Sequence, residues 1–185
     1  MKNLIALIKS SAKELKSVLS LAVSSMLTAF NVVLGFFTIQ PNELIKISFG
    51  FLPLSLVGLL YGPVAGGLAG IAGDLIKFFI KPTGPYFIGF TISAFLAGFI
   101  YGLFLYKKKI TLWRVALAHL TVVLLVQVLL NSVWLGILFD YAVIGMLPTR
   151  IVKNAILYPI ETGIIFGVAK ALERIMLRSK IPPHM

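Results

Sequence analysis

Cysteine is absent from the 185 residues, which removes disulfides, thiolate metal sites and a cysteine nucleophile at once. Histidine occurs only at His119 and His184, and neither H-E-x-x-H nor a paired-carboxylate spacing occurs. No catalytic set and no metal-ligand cluster can be assembled from that inventory. Charge is scarce as well. Asp, Glu, Lys and Arg make up 12% of the chain, against roughly 25% in a soluble domain. Water could not solvate the surface that such a chain would leave exposed.

What is present instead is apolar sequence. Apolar residues make up 59% of the chain and its mean hydropathy is +1.00. At about 20 residues per crossing, five to seven membrane spans would use nearly all of it. The composition reads as an all-α, polytopic membrane protein, a multi-pass component of the cell membrane, with a single membrane domain over 1–185. Residues 1–16, with Lys2, Lys9, Lys13, Glu14 and Lys16, form an interfacial amphipathic lead-in. The apolar core of that segment, Leu4 to Ile8, is too short for a cleaved signal peptide, and no A-x-A-like site follows. A six-helix bundle is expected over about 17–176 and a flexible tail over 177–185.

Six apolar segments follow, bounded by charge, proline or glycine: about Val18–Ile39, Ile47–Leu60, Val64–Ile80, Tyr86–Tyr106, Leu112–Phe139 and Pro148–Ile175. The second is short and carries Pro53. Tyr61-Gly62-Pro63 makes a tight turn into the third, and Lys81-Pro82-Thr83-Gly84-Pro85 reads as a loop. Pro148 suits the first turn of the sixth helix.

The formal net charge of +11 does not point to nucleic acid, because the basic residues sit in short runs between apolar segments, as membrane anchors do. Twelve lie at the N-terminus, around Lys107-Lys108-Lys109 and Arg114, and near the C-terminus. Five (Lys46, Lys77, Lys81, Arg150 and Lys153) lie on the other side. The asymmetry predicts both termini on the cytoplasmic side, in keeping with an even number of spans.

The glycine-rich run Gly66 to Gly73 lacks the Lys-Ser/Thr ending of a phosphate loop and lies inside an apolar span. Its small residues at Gly66/Gly70 and Ala65/Ala69/Gly73, echoed by Ala94, Gly98 and Gly102, are faces for close helix packing. The chain thus has no visible ATP site. Asp74, with Lys77 three residues on, reads as an ion pair near the membrane surface.

Polar residues inside spans carry more information, since lipid tolerates them only where they face protein or a cavity. His119, Gln127 and Asn131 share a face of the fifth helix, with Trp134 three residues later. Arg150, Asn154, Tyr158 and Glu161 share a face of the sixth, with Lys153 beside it. The outer half of the bundle therefore collects Asn131, Trp134, Arg150, Lys153 and Asn154, joined by Tyr86, Phe87 and Phe90 of the third loop and by Lys46 of the first. Cations, amide donors and aromatic faces together suit a flat heterocycle with an anionic tail. The exposed N–H groups of a helix starting at Pro148 would add to the attraction for that tail. The bland alternative is that Arg150 and Lys153 snorkel to the outer interface, with Trp134 and Tyr86 in an aromatic belt.

At these residues the chain resembles a known family. Lys46-Ile47-Ser48-Phe49-Gly50-Phe51-Leu52-Pro53-Leu54, Leu60 to Gly67, Asp74, Gly84 to Thr91, Ser93-Ala94-Phe95, Asn131-Ser132-Val133-Trp134-Leu135 and the Pro148-to-Pro159 stretch are similar to the folate-family S-components of energy-coupling factor transporters. The resemblance runs from about residue 20 to 175. It implies a six-helix subunit, without enzymatic activity or cofactor, that captures folate from outside. Its partners would be a membrane T-component and two cytoplasmic ATPases. It also implies a ligand site at Lys46, Tyr86, Phe90, Asn131, Trp134, Arg150, Lys153 and Asn154. The family's A-x-x-x-A coupling motif falls on Ser25 and Ala29, where serine replaces the first alanine but stays small. Relatives for riboflavin, pantothenate and thiamine share the architecture, and a basic pocket favours dianionic folate over cationic thiamine. A stand-alone secondary transporter would be expected to show inverted repeats, which this span pattern lacks; a membrane enzyme is the remaining alternative.

Overall fold

A backbone inside lipid has no water to bond to, so it must close its own hydrogen bonds, and helices do that within one segment. The computed structural model describes residues 2–37, 39–42, 45–82, 84–139 and 143–178. Its elements are α1 (Lys2–Glu14), α2 (Val18–Phe36), a hairpin of β1 (Ile39–Asn42) and β2 (Ile45–Ile47), α3 (Phe51–Ile80), α4 (Ile88–Leu105), α5 (Leu112–Thr121), a π-helical stretch (Val122–Leu130), α6 (Asn131–Phe139) and α7 (Val143–Arg178). Among the described residues, five helical runs are long and apolar enough to cross a membrane: α2, α3, α4, the rod Leu112–Phe139, and Leu147–Met176 within α7.

The run α3 is two arms rather than one rod. Gly62 breaks it with φ 85° and ψ −173°, a conformation that a Cβ would strain, and Pro63 follows. Residues eight apart in a continuous helix lie about 12 Å apart. Here a Cβ built on Gly66 would fall 3.1 Å from the Cα of Gly58, so the arms 51–61 and 63–80 double back on each other. The tight turn expected at Tyr61-Gly62-Pro63 is therefore present. Ser11 of α1 satisfies the break. Its hydroxyl donates to the Tyr61 carbonyl at 2.7 Å and accepts from the N–H groups of Val64 at 3.0 Å and Ala65 at 3.4 Å. One buried side chain thus caps the end of one arm and the start of the next.

Both arms meet α4 backbone to backbone. A Cβ on Gly58 would come within 2.8 Å of the Gly102 nitrogen, and one on Gly66 within 2.5 Å of the Gly98 carbonyl oxygen. Gly70 is pressed equally close to Ala94. The glycine-rich run is a packing seam. Around it lies a core of Val57, Leu59, Tyr101, Leu105, Val115 and Ile165.

α2 is built inside out. It buries Ser20, Ser24, Thr28 and Asn31 against α3 while Val18, Leu19, Met26 and Phe30 are exposed. Thr28 and Ser24 return their hydroxyls to their own helix backbone, and the Asn31 amide donates to the Gly50 carbonyl. This is how a lipid-facing helix hides its polar atoms. Ser25 and Ala29 lie on its exposed face. α1 is held by Tyr106 at the end of α4. The Tyr106 hydroxyl donates to Glu14 at 3.0 Å, and burial, reinforced by that carboxylate, pushes its pKa up to about 12.

Three boundaries differ from the sequence reading. Ile47 closes strand β2 rather than opening a helix, so the connection between α2 and α3 is a hairpin and not a simple break. α2 ends at Phe36 rather than Ile39. α7 begins at Val143, so Pro148 lies inside it rather than in its first turn, and Pro159 is tolerated farther along. The terminal residues 179–185 lie outside the described residues.

The seam generates a direct contrast. Gly98→Ala should destabilise the detergent-solubilised protein by about 1–3 kcal/mol, the range for overpacking. Gly163→Ala, where a Cβ meets nothing within 4 Å, should be neutral or stabilising by up to about 1 kcal/mol from helix propensity. Thermal unfolding of the two variants side by side checks the difference.

Candidate functional site

The helices leave a cavity of about 770 Å³ that is open on one side. α2, both arms of α3, the 84–87 segment, α4, the π stretch, α6 and α7 all contribute to its wall. Lys77, Lys81, Arg150 and Lys153 supply four cations and Asp74 and Glu161 two carboxylates, an excess of two positive charges. Aromatic faces come from Phe51, Phe78, Tyr86, Phe87 and Phe90, and amides from Asn31, Gln127, Asn131 and Asn154.

Six of the eight residues singled out as ligand-binding come together on this wall: Tyr86, Phe90, Asn131, Arg150, Lys153 and Asn154. Trp134 sits one layer behind it. Its Nε1 donates to Ser93 at 3.0 Å, and its ring packs on Phe87 with centroids 5.7 Å apart. Both partners line the cavity, so Trp134 braces the wall. Lys46 belongs to β2, and its side chain lies outside the described residues.

Arg150 is fixed by its Nη1 donating to the Gln127 carbonyl at 2.9 Å, while its Nε is buried with no partner among the described residues. The Asn131 Oδ1 is buried in the same condition. Because α7 begins seven residues before Arg150, the N–H groups around Arg150 are interior to the helix. Any anion held there is held by side-chain charge, and the expected help from a helix start at Pro148 does not apply.

The π stretch shapes the wall. The N–H of Asn131 bonds to the Val126 carbonyl, a five-residue step that widens the turn and shifts the face. Gln127 and Asn131 therefore line the cavity while His119, grouped with them by four-residue spacing, lies fully buried behind it. Its Nδ1 is 2.7 Å from the Tyr101 hydroxyl and its Nε2 3.0 Å from Glu161, with the carboxylate off the line of the ring N–H. Tyr158 stacks on it with centroids 5.6 Å apart and donates to the Ala116 carbonyl at 3.0 Å.

Near the rim, Tyr86 and Thr91 share a hydrogen bond at 3.0 Å, and Thr91 donates to Asp74 at 2.8 Å. Lys77, Lys81, Asp74 and Glu161 were not assigned to the site from sequence. Lys77 and Asp74 were legible as polar residues within a span, and it is the fold-back of α3 that turns them toward α7.

The family model described as "ECF transporter, substrate-specific component" matches residues 19–172. The chain is 40% identical over 156 residues to a protein of Clostridium novyi (strain NT) named "Folate transporter FolT", spanning 84% of this chain and 90% of that protein. It is 34% identical over 148 residues to a Leuconostoc mesenteroides protein of the same name, spanning 77% and 80%. A solved structure titled "Crystal structure of FolT bound with folic acid" superposes with a TM-score of 0.79 at 35% identity, covering 84% of this chain and 95% of that one.

Proposed function

This chain belongs to the family of substrate-specific components of ECF transporters, membrane transport subunits rather than enzymes, and on that premise we propose that it is the folate-binding subunit of a vitamin importer in the cell membrane. The observation that carries the proposal is the cavity with two excess positive charges beside aromatic faces and amides. Folate has two tail carboxylates and a flat ring, and so matches that wall in charge and shape. The similarity to a FolT structure holding folic acid supports the same ligand. Riboflavin and pantothenate supply no dianionic tail, and they fit this charge balance less well.

In this reading Arg150 and Lys153 hold the tail, Lys46 is assigned to it from the sequence, and Asn154 is placed with Asn131 at the ring edge. Tyr86 and Phe90 cover the ring, Asn131 bonds its edge, and Trp134 keeps Phe87 and Ser93 in place. The two arms of α3 count as separate crossings, six in all, the first arm being short. The basic residues set both termini in the cytoplasm. The power stroke belongs to partners, a membrane T-component and two ATPases. Small Ser25 and Ala29 on the exposed face of α2 give the T-component its close approach.

Two outcomes test the proposal. A charged hydrogen bond is worth roughly 1.5–3 kcal/mol, so Arg150→Ala should weaken folate binding by about one to two decades and leave a pterin without the glutamate tail nearly unaffected. Titration of both ligands into purified protein decides this, and equal loss for both would remove Arg150 from the tail site. The double variant Ser25→Trp, Ala29→Trp should abolish folate uptake by the assembled transporter while the isolated subunit keeps its affinity. Normal uptake would remove that face from coupling.

A further inference from the structure

The cavity is charged unevenly along its depth. Arg150 and Glu161 are on the same helix, 11 residues apart, about 16 Å along its axis, and both line the wall. Arg150 and Lys153 stand toward the outer end of α7. Glu161 stands at the floor, with Tyr101 of α4 as its neighbour on the wall and the buried His119 behind both. A carboxylate this deep in the membrane region is retained only with partners. His119 supplies one, and it is itself held in place. The Tyr101 hydroxyl lies 2.7 Å from Nδ1 and fixes the ring, whose Nε2 lies 3.0 Å from the Glu161 carboxylate as a close contact rather than an aligned hydrogen bond. Phe51 of the first α3 arm and Tyr158 of α7 flank the ring. The Glu161 side chain nonetheless keeps 12% of its surface exposed.

We propose that Glu161, positioned by His119, binds the hydrogen-bond-donor edge of the ligand's ring at the cavity floor and so sets which end of the ligand enters first. The inference rests on the folate reading and extends it. A floor carboxylate repels the tail carboxylates and leaves them to the outer cations. It also accepts paired N–H groups, and a 2-amino-4-oxo ring offers two side by side, from the amino group and the adjacent ring nitrogen. Asp74, the other carboxylate on the wall, already accepts from Thr91 and stands near Lys77, so it is the weaker candidate for the same task.

The test uses three ligands titrated into the full-length protein in detergent: folate, an analogue with the ring 2-amino group replaced by methyl, and p-aminobenzoylglutamate, which has the tail but no ring. A site built around a hydrogen bond rejects a ligand lacking it, so the protein should prefer folate to the methyl analogue by at least about tenfold. Glu161→Gln sets an amide against one ring N–H and should shrink that preference to within about threefold, with the tail-only ligand bound as before. His119→Gln should shrink it in the same direction, again sparing the tail-only ligand, which a general loss of folding would not do. An unaltered protein that binds folate but does not discriminate the methyl analogue overturns the inference alone, whether or not any variant folds. A preference intact in Glu161→Gln overturns it as well, as does one that collapses in Asp74→Asn instead. Failure of the unaltered protein to bind folate at all overturns the folate reading and this inference with it.

Discussion

Three helical segments come into backbone contact at Gly58, Gly66, Gly98 and Gly102, and the shape of the cavity depends on that seam. In lipid, apolar side chains gain little by leaving one hydrocarbon surface for another, so helices associate through close packing and internal polar contacts. The seam brings the arms of α3 against α4 closely enough to act as one block. The Gly62 turn makes the double-back, Ser11 satisfies its loose backbone ends, and the block then turns Asp74, Lys77 and Lys81 toward the rod 112–139 and α7. The cavity is the space left between that block and the other helices.

The same economy governs the polar atoms. α2 hides serine, threonine and asparagine from lipid and exposes valine, leucine and methionine. The Tyr101–His119–Glu161 group and the Tyr86–Thr91–Asp74 chain each tie two or three elements together through side-chain contacts. Such contacts fix a wall in place. They also leave Arg150 and Glu161 well apart along α7 on the same wall, with Asp74 as its second carboxylate.

Much of this was legible in the residues, for identifiable reasons. Four-residue spacing of glycine has one strong meaning inside an apolar span, and the structure uses it that way. Polar residues in lipid are rare enough that Asn131, Arg150, Lys153 and Asn154 could be grouped before their helices were placed, with Tyr86 and Phe90 joined to them as aromatics of the third loop. The Gly62-Pro63 turn followed from backbone chemistry. Other features were not legible. Trp134 has the composition of a ligand contact, and only packing puts it behind Phe87. Proline signals a first turn more often than an interior position, so Pro148 concealed the true start of α7. A π stretch has no residue signature, and it separates His119 from the face that four-residue spacing assigned to it. Lys77 and Glu161 stood out in the sequence, one beside Asp74 and the other on the Arg150 face, but only the fold brings them to one cavity wall.

The central claim is that this cavity captures folate, and the most direct measurement is the identity of what the protein carries. Membranes from cells supplied with a mixture of vitamins are solubilised gently, the protein is purified, and bound small molecules are released and weighed by mass spectrometry. The account predicts folate, near one per chain. A flavin or pantothenate at that stoichiometry, with folate present in the medium and absent from the protein, would contradict it.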